Sequence, residues 1–145
     1  MTRSGLVLAL LSGAVLSSAA ADDREYQQAQ FDYQLHCQGC HTPDGSGADS
    51  VPRMKNEVGV FLQSKAGREY LVRVPGSATS ALNDKRLASV LNWMVREFAG
   101  DSVTGEFQPY SSAEVSELRQ QPLNEVDKYR AELLQALTGA TGRKQ

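Results

Sequence analysis

Apolar residues recur at three- and four-residue intervals in six stretches of this chain, and each predicts a helix. In residues 24–35, Tyr26, Ala29 or Gln30, and Tyr33 share one face, with no Gly or Pro to interrupt it. Val58, Phe61 and Leu62 predict a short helix over residues 57–65, stopped near Gly67. Another begins around Arg68 and carries Tyr70, Leu71 and Val74 up to Pro75, where a helix must end or turn. The clearest pattern lies in residues 87–98. Leu87, Val90, Leu91, Met94, Val95 and Phe98 form a broad stripe, Asn83 or Asp84 supplies a cap, and Gly100 a stop. Further on, Ser111-Ser112-Ala113-Glu114 has the form of a capping box that opens a helix through about Gln120. Asn124 can cap the last, residues 125–137, with Val126, Tyr129, Leu133 and Leu137 on one side. Asp127, Lys128, Glu132 and Gln135 fall largely on the other side. The expected fold class is all-α.

Residues 1–21 follow another pattern. Arg3, an apolar run over residues 6–16 and Ala19-Ala20-Ala21 describe a cleaved signal peptide, followed at once by Asp22-Asp23. The run is short and is interrupted by Ser12 and Gly13, whereas a permanent membrane span wants about 20 apolar residues. An uncleaved anchor is the alternative; a lipoprotein signal is excluded, since the segment has no Cys. The expectation is export to the periplasm with no stable membrane span. What remains is one domain's worth of chain with a single modest core. A formal net charge of −2 gives no reason to expect nucleic acid as a partner, and the weak acidity fits either docking on a basic patch or plain solubility.

Candidate chemistry concentrates in Cys37-Gln38-Gly39-Cys40-His41, which reads C-x-x-C-H. Two thiols so close can each add across one vinyl group of a haem, and the adjacent imidazole can then reach the iron. Cys37 and Cys40 would tether the haem c and His41 would be the proximal iron ligand. A thioredoxin-like redox pair needs a βαβ setting that the pattern lacks. Zinc fits no better, because His36, Cys37, Cys40 and His41 are the chain's only Cys and His, and six consecutive residues can hardly set four ligands tetrahedrally. Residues 42–47, Thr-Pro-Asp-Gly-Ser-Gly, are turn chemistry that ends the motif. The chain has no P-loop, dinucleotide fingerprint or second haem motif, and no His is free for a Ser-His-Asp triad. An enzyme is not expected; any catalysis would rest on the iron.

With Tyr33 four residues and Ala29 eight residues before Cys37, the C-x-x-C-H motif, Val51-Pro52-Arg53-Met54 and Leu91-Asn92-Trp93-Met94, the chain resembles class I cytochrome c over residues 22–100. The resemblance implies a helical fold around one covalent haem, with Ala29 permitting close crossing of the first and last core helices and Trp93 helping them pack. It implies that the Pro52 carbonyl accepts the Nδ1 proton of His41, fixing the ring and raising its basicity. Val51 stands where the family often has Gly. The implied function is transfer of single electrons to or from a periplasmic redox protein or dehydrogenase. The departure is in residues 75–85, where the family presents a Met to the iron and this chain has neither Met nor His. Met94 or Met54 could ligate from an unusual place, Asn83 or Lys85 could bind weakly, or the iron is five-coordinate. The last is favoured, and it opens the alternative of a haem protein that binds a diatomic gas or peroxide. A fixed haem subunit of a dehydrogenase complex is a third reading, with the C-terminal helical extension, residues 101–145, packed on the domain or docking a partner. Within it, Phe107-Gln108-Pro109-Tyr110 is expected to cover the distal face.

Overall fold

The structure is a computed structural model and describes residues 13–48 and 50–141. Residues 1–12, with most of the expected signal sequence, lie outside the described residues. Among the described residues every regular element is helical, and the only strand-like feature is an isolated bridge between Ala48 and Val51. No helix among them is long and apolar enough to cross a membrane.

The chain begins with α1 (Gly13–His36), followed by one short turn of helix, α2 (Gln38–His41). The expected helix over residues 24–35 therefore starts earlier, because no Gly or Pro stands between Ala14 and Arg24 to stop it. A 3-10 segment (Val58–Gln63) replaces the short helix expected over residues 57–65. It runs into α3 (Lys65–Arg73), whose first turn is capped by the Ser64 hydroxyl accepting from the Gly67 amide at 3.0 Å. Gly67 is required there: a Cβ would sit 2.0 Å from the Phe61 carbonyl oxygen. Pro75 opens α4 (Pro75–Ala78) at a first-turn position, where its missing N–H costs nothing.

The core is built on α5 (Asp84–Phe98). Asn83 rather than Asp84 is its N-cap, with Oδ1 accepting from the Arg86 amide at 2.9 Å. All six apolar positions of the stripe are buried, together with Ala88 and Trp93. Helix α5 packs chiefly on α1. Ala29 is buried at the crossing and leaves room for it, whereas Gln30 faces solvent. Tyr33 lies 5.0 Å from Trp93 and 5.2 Å from Phe98, ring centre to ring centre, and Tyr26 meets the Trp93 edge at 6.3 Å while remaining partly exposed.

The C-terminal residues pack on this same core. Ser111 caps α6 (Ser112–Leu118) as the capping box predicts, its hydroxyl accepting from the Glu114 amide at 3.1 Å. Helix α6 rests on α5 and α3, with Val115 fully enclosed. Helix α7 (Val126–Thr141) lies across the 3-10 segment and α3, burying Leu133 and Leu137. Its Tyr129 stacks on Tyr70, which stacks in turn on Phe61.

Candidate functional site

The end of α1, all of α2 and the loop behind them form one unit. The Cys40 and His41 amides both donate to the Cys37 carbonyl, so the C-x-x-C-H residues wrap as one helical turn. The Tyr33 hydroxyl donates to the Thr42 carbonyl at 2.6 Å, tying that turn to the buried face of α1. Thr42 adopts φ +65°, a conformation that L residues avoid. Its hydroxyl lies 3.0 Å from Asp44 Oδ1, to which it can donate its one proton, and accepts from the Ser46 amide at 3.1 Å, which holds the strained residue in place. Gly45 turns the loop at φ +71° directly against the Phe98 ring. Its carbonyl accepts from the Met54 and Lys55 amides, and the Asn56 amide donates to Phe98, so the loop folds back along α5.

This arrangement leaves a cavity of about 310 Å³. Cys37, Cys40, His41 and Pro52, the four residues singled out from sequence, all line it. So do both candidate methionines, Met54 and Met94, on walls otherwise dominated by apolar side chains such as Val58, Phe61 and Leu91. The cysteines are not bonded to one another; Cys37 is half-buried and Cys40 exposed. Burial, the Asp32 charge and Cys40 push the Cys37 thiol up to about 11. A redox dithiol needs a thiol that ionises readily, and Cys37 is the opposite. Among the described residues no group of three or more His, Cys, Asp or Glu side chains could hold a bare metal ion.

The imidazole of His41 is half-buried, and burial lowers its pKa, with the Pro52 carbonyl acting against that shift. Its Nδ1 is enclosed, yet no acceptor reaches it in full hydrogen-bonding geometry. Pro52 thus faces the ring and polarises it without closing a good bond. Desolvation thus favours the neutral ring, in which one nitrogen keeps a lone pair for a ligand bond.

Two expectations need correction. Phe107, Gln108, Pro109 and Tyr110 do not line the cavity. They are pinned to the outer side of α3 and α5: Arg68 donates to the Gln108 and Pro109 carbonyls, the Tyr110 hydroxyl donates to the Arg68 carbonyl, and Asn92 exchanges hydrogen bonds with the Tyr110 backbone. Asn83 and Lys85 are also absent from the lining, since Asn83 is spent capping α5 and Lys85 is exposed. From residues 75–85 only Gly76 and Ser77 reach the cavity.

Sequence reasoning missed two participants. Asp32 is completely buried below the motif, where it accepts from Arg86 through both Oδ atoms and from Gln28 at 2.9 Å. Only its place among the apolar positions of α1 could have signalled burial. The second is α7, whose Val126, Asp127 and Arg130 line the cavity. Compared with known proteins, the chain matches no family model, no curated protein and no solved structure.

Proposed function

We propose that this chain is an exported, monohaem c-type cytochrome that carries single electrons to or from a periplasmic redox protein or dehydrogenase, with a class I cytochrome c-like helical fold. The observation that carries the reading is the convergence of Cys37, Cys40 and His41 on one mainly apolar cavity. A haem fits these residues on three counts. The volume falls at the lower end of the roughly 300–1,000 Å³ usual for cofactor pockets. The enclosed Nδ1 of His41 leaves Nε2 for an iron. Cys37, poorly ionised and half-buried, suits a tether better than a redox partner.

A bound haem would supply an iron that cycles between ferric and ferrous states. Cys37 and Cys40 would tether it, His41 would supply a nitrogen to the iron, and Pro52, which faces the ring, would help to orient the imidazole. Val58, Phe61, Leu71 and Leu91 exclude water, which limits charge reorganisation. Cys40 is exposed, so a haem edge held there would stand near the surface, where a docked partner could approach it.

The test is expression of the full chain alongside a thioether-forming maturation system. Expected are a mass gain of one haem and a pyridine haemochrome spectrum of a two-thioether haem, lost when Cys37→Ala and Cys40→Ala are combined. Absence of covalent haem from the exported wild-type protein would overturn the reading.

The vacancy of thioether and imidazole in residues 75–85 favours one second reading, a five-coordinate haem protein that binds a small ligand. Carbon monoxide binding to the reduced protein supports it. A low-spin ferric haem with a Met-to-iron charge-transfer band, abolished by Met94→Leu or Met54→Leu, refutes it.

A further inference from the structure

Five arginines are partly enclosed by this fold, and four of them donate hydrogen bonds, Arg73 through Nε to the Gln121 carbonyl at 2.8 Å. Arg68 donates to Glu114 and two backbone carbonyls, Arg119 to three carbonyls and Asp84, and Arg86 to Asp32. Arg130 is the exception. Its side chain is only 25% exposed, and among the described residues it makes no hydrogen bond and one ion pair, with Glu57 at 3.9 Å. The guanidinium carbon lies 5.7 Å from the centre of the Phe61 ring. A guanidinium has five donors in a planar fork, and enclosing it with none of them engaged is costly unless an acceptor is supplied.

The open space beside it is the cavity. Arg130 lines both that cavity and an adjoining outer cleft, and the residues common to both are Ser50, Val51, Pro52, Arg53, Asp127 and Arg130. Cys37 and Cys40 line the cavity but not the cleft. The thiols and the two arginines therefore mark different parts of its boundary. A haem has the same polarity, since its vinyl groups and its two propionates occupy different edges of the macrocycle.

Resting on the haem reading above, we propose that Arg130 of α7 is the counter-cation for a haem propionate, so that the C-terminal extension completes the cofactor site. Its planar fork matches a carboxylate bidentately. The other charged and titratable groups facing it are Glu57, Asp127, Arg53 and Tyr70. Glu57 is half-exposed and stands 4.0 Å from Arg53 as well as 3.9 Å from Arg130, so neither cation is saturated by it. Asp127 is exposed at the cleft and opposes an anion. Tyr70 feels both Arg130 and Asp127. Arg53 is more exposed than Arg130 and already donates through Nε to the Lys55 carbonyl, which makes Arg130 the stronger candidate.

The experiment is a carbon-13 NMR titration of haem propionate carboxyls in the loaded wild-type protein, Arg130→Lys and Arg130→Gln, with the pH dependence of the reduction potential. In the wild type one propionic acid should titrate below the ordinary carboxylate range of about 4, with a potential nearly flat from about pH 5 to 8. In R130Q that pKa should rise by about one unit or more, and the potential should fall with pH through it. R130K should lie between. Ordinary titration of both propionates in the wild type overturns the inference even if R130Q does not fold. Identical titrations in wild type and R130Q overturn it too. Failure of haem attachment overturns the underlying reading and this one together, whereas attachment with unmoved propionates removes this one alone.

Discussion

Replacing Arg86 by Leu would expose how much of the site's foundation is electrostatic. Asp32 has no solvent exposure, and its partners are Arg86, which donates from Nε at 2.8 Å and again from NH2, and Gln28 at 2.9 Å. Removing one member of a buried pair usually costs about 3–5 kcal/mol, because the other charge stays behind unpaired. Two features reduce this. The Arg86 side chain is 43% exposed, so solvent already screens part of the attraction. Arg86 also stands in the first turn of α5, where a cation opposes the helix dipole by a few tenths of a kcal/mol. The expected loss for Arg86→Leu is about 2 kcal/mol, which at a urea slope of about 2 kcal/mol/M lowers the unfolding midpoint by roughly 1 M. Adding Asp32→Asn removes the stranded charge and should restore about 1 kcal/mol. Urea unfolding followed by far-UV circular dichroism, with all variants in the same haem state, measures both. A loss under about 0.5 kcal/mol, or a double variant weaker than R86L, would refute the reasoning.

Three further outcomes follow from named contacts. In the haem-free chain at about pH 8, exposed Cys40 should be alkylated first. Cys37, pushed up to about 11, should react roughly a hundredfold more slowly than an ordinary thiol. Peptide mass spectrometry of iodoacetamide time courses decides it, and equal rates would contradict the burial of Cys37. Asp84 is held below the usual carboxylate range by hydrogen bonds from Arg119 and Ser116. Its contribution is present above about pH 4 and is lost as pH falls through its folded pKa, so Asp84→Asn should flatten the acid limb of the stability curve. Denaturation midpoints across that range check this, and parallel curves would count against it. Gly45→Ala forces a Cβ to 2.8 Å from the Phe98 ring at φ +71°, and should cost about 2–3 kcal/mol, read as a fall in Tm.

The elements that could be read from sequence are those whose information is local. The stripe and cap of α5 lie within sixteen consecutive residues, and every predicted core position is buried. The Ser111 capping box is equally self-contained. The three- and four-residue recurrence of Tyr26, Ala29 or Gln30, and Tyr33 located the buried face of α1 at Ala29 and Tyr33, although Tyr26 stays partly exposed. What could not be read depends on partners distant in sequence. Asp32 meets Arg86 across 54 residues, and nothing near either residue announces the pairing. The aromatic segment at residues 107–110 was placed over the distal face on composition, but Arg68 and Asn92 hold it elsewhere through side-chain bonds to its backbone. The stripe of α7 showed that the helix must bury a face, though not that the burial would occur beside the cavity.

That position of α7 changes what the extension has to explain. A helix added only for stability would bury its apolar stripe and turn its charges to solvent, as Lys128 and Glu132 do. Arg130 does not behave so: its side chain is only 25% exposed and lines the cavity, beside the aromatic stack that Tyr129 continues from Phe61 and Tyr70. The extension therefore shapes the same space as C-x-x-C-H, from a wall that residues 22–100 leave open. The wall that carries C-x-x-C-H is built from consecutive residues around His41, while Met54, Met94, Tyr70 and Ser77 stand on walls formed by other elements. Since a soft thioether favours ferrous over ferric iron, engagement of either Met would raise the potential of a bound haem. A water or an open position would lower it and admit small ligands. On the proposed haem reading, whether the chain would serve as a carrier or a ligand binder turns on which of these walls approaches the iron, and α7, seated against Phe61 and Tyr70, is part of what holds them in place.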